Sequence, residues 1–178
     1  ILSAKGTALD AVEAGARHIE EQINCCVGLG GYPDRDGIVT LDSCIMDHLA
    51  NCGAVAAIER IKHPVSVARK IMEKTPHVLL VGAGAQQFAL ENGFVLEPQE
   101  LSEPAKKAYA EWLKESEYKP IINIENKKQN GPFAPHFFED GTANHDTMGL
   151  LAKDASGNLS GAVTTSGMAF KLHGRVGD

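Results

Sequence analysis

"TMGLLAKD" and "LSGAVTTSG", separated by "ASGN", are the most sharply patterned runs in this chain of 178 residues. Both are short and apolar-rich, and the small polar turn between them is what an antiparallel hairpin needs to reverse direction. Their pairing commits residues 147–165 to a sheet, whose period-two alternation decides which side chains share a face. The stretch before the hairpin is its opposite. Periodicity fades from 118 to 144, where "NKKQNGPFAPHFFEDGTAN" reads as a long surface loop. Loops of that length inside a compact domain are uncommon and are usually functional or mobile.

The rest of the chain supplies layers to cover such a sheet. Thr7 with Asp10 three residues on forms a helix start. Ala8, Leu9, Val12, Ala16 and Ile19 then make one apolar face, running to about Gln22. "GIVTLDSCIMD" alternates as a strand, whereas "GAVAAIERI" fits strand or helix. "HPVSVARKIMEKT" predicts a helix with Pro64 in its first turn and Val67, Ile71 and Met72 along one side. "HVLLVG" is a short apolar strand, and "AGAQQFALENG" a helix stopped by Gly93. Residues 102–117 read as an exposed amphipathic helix opened by Ser102, with Pro104 in its first turn. The alternation is too irregular for a doubly wound sheet and predicts layered α/β or α+β architecture in a single domain.

Several functional classes are excluded early. A net charge of −6, with no Lys or Arg stripe, gives no footprint for nucleic acid. No apolar run approaches the roughly 20 residues of a membrane span. "ILSAKGTALD" has no basic region followed by an apolar one, so no signal peptide is visible, although a start so abrupt leaves room for a leader ahead of it. Cys25, Cys26, Cys44 and Cys52 include no CxxC pair and the histidines no HxxxH, which predicts no metal site. The cysteines read as small buried residues, with a Cys44–Cys52 bridge left open. "VGAG" after an apolar strand resembles part of a dinucleotide fingerprint, but Gln87 replaces its third glycine; a tight strand-to-helix turn is expected, and no cofactor. "GGYPDRDG" lacks the spacing and closing glutamate of a calcium loop and reads as a turn.

Chemistry-bearing residues gather around the hairpin. Thr147 stands where the long loop meets the first strand, Thr164 and Thr165 end the second, and Arg175 and Asp178 follow closely. A threonine hydroxyl is a poor nucleophile until something removes its proton. Making the threonine an N-terminus supplies its own α-amine as base, titrating at about 7.7–8.0 where a base is useful. The branched Cβ restricts χ1 and helps hold Oγ in one pose. Such a residue must be liberated by cutting the Asp146–Thr147 bond. Spacing alone also admits a plainer reading, in which Thr147 is a polar strand start, His145 a loop residue, and Arg175 with Asp178 a surface ion pair.

"VGLGGYPDRDGIVTLDSCIMD", "HPVSVARKIMEKTPHVLLVGAGAQQFA", "NHDTMGLLA" and "TTSGMAFKLHGRVGD" together decide between them. With these stretches the chain resembles the glycosylasparaginases, N-terminal-nucleophile hydrolases of the asparaginase family, over most of its length. The resemblance implies an α+β fold, a four-layer αββα sandwich incomplete in this chain. It implies one partial domain over 1–178, in which 1–146 forms most of an α-subunit portion and 147–178 begins a β-subunit portion. It also implies autoproteolysis at His145, Asp146 and Thr147, and catalysis by Thr147 with Thr165 beside it. Arg175 is expected to grip a substrate α-carboxylate as a bidentate fork, and Asp178 the α-ammonium. The implied partner is a small molecule, asparagine or glycosylasparagine, and the cut chains are expected to pair as α/β heterodimers that dimerise again. Relatives are lysosomal or periplasmic.

The nearest competing branch, the plant-type asparaginases and isoaspartyl peptidases, usually has glycine before the threonine and a "MTNK…GRIGD"-like segment. Asp146 and "MAFKLHGRVGD" favour the glycosylasparaginase side. A non-catalytic relative that merely binds an amino acid is the alternative of a different class. Cys26 departs from the serine that relatives commonly carry before "VG". The resemblance further implies an aromatic-bearing strand ahead of Ile1 and a Thr-Gly pair past Asp178 that supplies oxyanion contacts. Removing one oxyanion donor costs on the order of 10²–10³ in rate, so activity is expected of the complete protein.

Overall fold

The computed structural model describes residues 1–114 and 147–177. The chain adopts the expected α+β class, and the described residues form five strands in one mixed sheet, with four α-helices. In chain order these are α1 (Ala8–Glu20), β1 (Thr40–Met46), β2 (Cys52–Glu59), α2 (Pro64–Lys74), β3 (Leu79–Val81), α3 (Gly82–Glu91), α4 (Glu103–Trp112), β4 (Thr147–Lys153) and β5 (Leu159–Thr165). The sheet runs β3-β2-β1-β5-β4. Every pairing is antiparallel except β2 with β3, which α2 joins by a crossover.

Local chemistry accounts for the element boundaries. The Thr7 side chain accepts the Asp10 amide at 3.1 Å, and Ser102 accepts the Ala105 amide at 3.3 Å, satisfying donors that a helix start leaves orphaned. Pro64 sits in the first turn of α2, where its missing N–H is no loss. The hairpin turn closes as its residues require: Asp154 Oδ1 accepts from the amides of Ser156 and Asn158, each at 3.0 Å. The segment that fitted strand or helix is a strand, β2, kinked where Ala57 takes a positive φ opposite a register shift in β1.

Helices α1, α2 and α3 all cover one face of the sheet. Leu41, Val55, Ile58, Ile61, Val67, Ile71, Ala85 and Ala89 form one core cluster. Val12, Ala16, Ile45, Val65, Ala68 and Ala162 form another. Each large aliphatic side chain buried there contributes about 1.5–3 kcal/mol. Gly53 shows how closely α2 lies on β2, since a Cβ at that position would collide with the Ala68 carbonyl. The opposite face is largely open among the described residues, except at the end where Asp42 and Thr165 are buried. Leu151 is 90% exposed there, with Leu159, Val163 and Met46 also open to solvent. The second sheet of the expected four-layer sandwich is not among the described residues.

Three expectations need correction or trimming. The cysteines are not small buried residues: all four are exposed or half-buried, because β1 turns Cys44 toward the bare face and Cys25 and Cys26 lie in a loop. The bridge left open between Cys44 and Cys52 is not formed. Cys44 pairs with Ala54 and Cys52 with Met46, so the two thiols are diagonal rather than opposite, while Cys25 and Cys26 are joined to each other. Helix α4 ends at Trp112, short of the predicted 117, and residues beyond 114 lie outside the described ones. The "VGAG" turn is tight, as expected, with β3 passing directly into α3 at Gly82. No helix among the described residues is long and apolar enough to cross a membrane.

Candidate active site

The threonines meet on one rung of the sheet. Thr147 opens β4 and is paired with Thr165 of β5, which is in turn paired with Asp42 of β1. Directly opposed residues project to the same face, so Thr147, Thr165 and Asp42 share the side that α1–α3 leave uncovered. Thr165 is 5% exposed, and its Oγ1 accepts the Gly167 amide at 2.9 Å. A hydroxyl that accepts an amide in this way directs its own proton elsewhere.

Thr164, one residue earlier, points into the helices. Its hydroxyl donates to Glu20 Oε1 at 2.7 Å, and the same carboxylate accepts the Val65 amide at 3.3 Å near the start of α2. His63 Nδ1 stands 3.3 Å from Glu20 Oε2. A buried carboxylate costs several kcal/mol unless it is hydrogen-bonded. Here those bonds tie α1, α2 and β5 together behind the threonine rung.

Residues 166–177 wrap back over the end of the sheet and carry Arg175. The path is set by backbone bonds to the 33–35 segment: the Phe170 amide donates to Pro33 O, and the Arg35 amide to Lys171 O, each at 2.8 Å. Lys171 is 1% exposed and donates from Nζ to Ser166 O at 2.8 Å. Gly167 has φ of 70°, and a Cβ there would lie 2.8 Å from Gly177 O, so the loop closes only around a glycine. The Phe170 ring stacks on Tyr32, Tyr109 and Trp112 at 5.9, 6.2 and 5.2 Å between centroids. Helix α4 thus braces the loop with its aromatic face, and the Tyr109 hydroxyl donates to Arg35 O at 2.9 Å.

Asp42 joins loop and rung. Its Oδ1 accepts the Ala57 amide at 2.7 Å, and its Oδ2 accepts the Gly177 amide at 2.8 Å. The peptide between Arg175 and the end of the described chain is therefore held by the same residue that neighbours Thr165. Arg175 is half-buried, and its guanidinium donates to Gly177 O. His173 lies two residues earlier, with Nδ1 2.6 Å from Asp34 Oδ2. The other Asp34 oxygen accepts the amides of Asp36 and Ile38, at 2.9 and 3.0 Å. "PDRDG" is thus the turn that its sequence predicted, with its first carboxylate engaged on both sides.

Of the residues singled out from sequence, Thr147 and Thr165 are brought together, and Arg175 is carried on the adjoining loop. His145, Asp146 and Asp178 lie outside the described residues. Sequence reasoning missed Asp42, Glu20 and the Asp34–His173 pair. Asp42 left one usable signal, a carboxylate in the middle of a strand. Cys26, noted for replacing a serine, contributes its backbone carbonyl, which accepts the Ser166 amide at 2.9 Å.

Comparison with known proteins identifies the family. The model of the asparaginase family matches residues 1–178. The chain is 56% identical over its whole length to an N(4)-(β-N-acetylglucosaminyl)-L-asparaginase of Elizabethkingia miricola, covering 47% of that protein. It is 39% identical to the protein of the same name in Rattus norvegicus, over 97% of this chain and 54% of the relative. An isoaspartyl peptidase of Salmonella typhimurium is 36% identical, over 100% of the chain and 54% of the relative. The chain spans about half the length of the curated relatives it matches. It belongs to the asparaginase family.

Proposed function

We propose that the full-length protein is a self-cleaving amidohydrolase that releases aspartate from N4-substituted asparagine or from asparagine. The observation that carries this reading is the Thr147–Thr165 rung, with Asp42 linking it to the loop that bears Arg175. In the first reaction Thr147 Oγ attacks the Asp146 carbonyl, the amide becomes an ester, and water hydrolyses it; His145 flanks the bond. The freed Thr147 amine is then the base for its own hydroxyl. Oγ attacks the side-chain amide carbonyl of the substrate, the amino sugar or ammonia leaves with a proton, and water hydrolyses the β-aspartyl ester. Thr165 donates a hydrogen bond to the nucleophile, a role supported by the amide that its oxygen already accepts.

Arg175 grips the α-carboxylate, and Asp178 the α-ammonium, so both α-groups of the substrate must be free. An internal asparagine of a polypeptide is thereby excluded. The single domain divides at the cut into a portion ending at Asp146 and one beginning at Thr147, which stay together as a heterodimer and pair again. Release of aspartate from N4-(N-acetylglucosaminyl)-asparagine, asparagine and β-aspartyl dipeptides by the complete protein tests the reading. Turnover of the first two supports it. Turnover of β-aspartyl dipeptides alone would move the protein to the isoaspartyl peptidase branch, where one relative carries that name. Ligand binding with no release at all would make it a non-catalytic relative.

A further inference from the structure

The loop bearing Arg175 is tied to the body mainly through its backbone, but His173 ties it through a titratable side chain. Its imidazole stands between two carboxylates, with Nδ1 2.6 Å from Asp34 Oδ2 and Nε2 4.0 Å from Glu59 Oε1. The two anchors come from different elements, Asp34 from the turn before β1 and Glu59 from the end of β2. Asp34 is fully buried and fixed by the amides of its own turn, whereas the His173 side chain is 48% exposed. Asp36 also faces the ring from that turn, with Arg35 3.9 Å from it. A neutral imidazole presents one N–H and one lone pair. Between two carboxylates its lone pair must face one of them, and only the imidazolium offers a donor to each.

We propose that His173 is a positioning residue for substrate capture: as an imidazolium between Asp34 and Glu59 it docks residues 172–177, and with them Arg175, against the body of the protein. This inference rests on the reading of Arg175 as the carboxylate anchor. The hydrogen bond to Asp34 is the main cause holding the proton on the imidazole. Burial opposes it, the negative charges of Asp34, Glu59 and Asp36 add to it, and the net direction is upward from 6.5. The sign follows by linkage. Docking is complete below about 6.5 and is lost as the pH rises through the raised value.

The test is steady-state kinetics of the complete, cut protein against pH, alongside NMR titration of the His173 ring. In the wild type KM rises as pH passes through the ring's titration, while kcat follows the Thr147 amine. His173→Gln raises KM at pH 6 by roughly three- to tenfold, the size of one exposed charge-assisted contact, and its KM is flat over that window. Glu59→Gln retains the Asp34 bond and shifts the rise in KM to lower pH. A His173→Gln KM equal to that of the wild type at pH 6, or a wild-type KM that stays flat while the ring titrates, overturns the inference and leaves the amidohydrolase reading standing. A wild type that releases no aspartate sinks that reading, and this inference with it.

Discussion

Thr164 and Thr165 are neighbours on β5, yet they look into different halves of the molecule. Thr164 faces the helical layer, where its hydroxyl belongs to a closed set of bonds around buried Glu20. Thr165 faces the opposite side of the sheet, on a rung with Thr147 and Asp42. The same contrast runs along the whole sheet. One face is sealed by α1–α3 over two apolar clusters. The other carries exposed Leu151 and Val163 at its middle and the threonine rung at its end. In this sheet stability is concentrated on the first face and the proposed chemistry on the second, and substitutions can separate them.

The largest expected effect lies on the sealed face. Ile71 is fully buried between α2 and the sheet, so Ile71→Ala should cost about 2–5 kcal/mol in denaturant unfolding. Its kcat at a temperature where the fold holds should stay near the wild-type value. A drop in kcat without loss of stability would erase the distinction between the faces.

The threonine pair offers a sharper comparison. Thr165→Val should lower kcat by on the order of 10²-fold, as removal of one aimed donor does elsewhere, and should also cost about 1–3 kcal/mol because the buried Gly167 amide loses its acceptor. Thr164→Val should cost stability alone. It leaves Glu20 short of a donor inside the fold and should destabilise by about 1–3 kcal/mol while turnover is retained. If Thr164→Val lowered kcat as far as Thr165→Val does, the two hydroxyls would not serve different layers.

The smallest effect is expected at the solvent-exposed edge of α1. Asp10 is held below its ordinary 3.8 by its hydrogen bonds, first from Thr7 and then from Arg69, against a small opposing burial. A depressed carboxylate contributes stability that is full above 3.8 and fades as pH falls through the lowered value. Asp10→Asn should therefore cost under about 1 kcal/mol at pH 7, with the difference from wild type vanishing in strong acid. Urea titrations at pH 7 and pH 2 check both size and direction.

Much of the fold was legible because local signals agreed with one another. Thr7, Ser102 and Pro64 marked helix starts that the structure keeps, and the hairpin turned where "ASGN" said it would. Cys25 and Cys26 were misread because they lie in a loop, and Cys44 because period-two alternation tells which residues share a face but not which face is covered. That depends on layers the described residues do not include. Within the site, Thr147 and Thr165 were legible through a family resemblance, not through spacing, which admitted a plain strand start equally well. The roles of Asp42, Glu20 and Asp34 were missed for a common reason. Each acts across more than ten residues of chain on a partner amide, hydroxyl or ring that only the tertiary fold brings near.

The central claim is that the bond before Thr147 breaks to make that residue a catalyst with its own base. Intact-mass measurement of the purified full-length protein tests this most directly. The account predicts two chains divided between Asp146 and Thr147 in the wild type, and one uncut, inactive chain for Thr147→Ala. A wild-type protein that stays in one piece while it releases aspartate would contradict it.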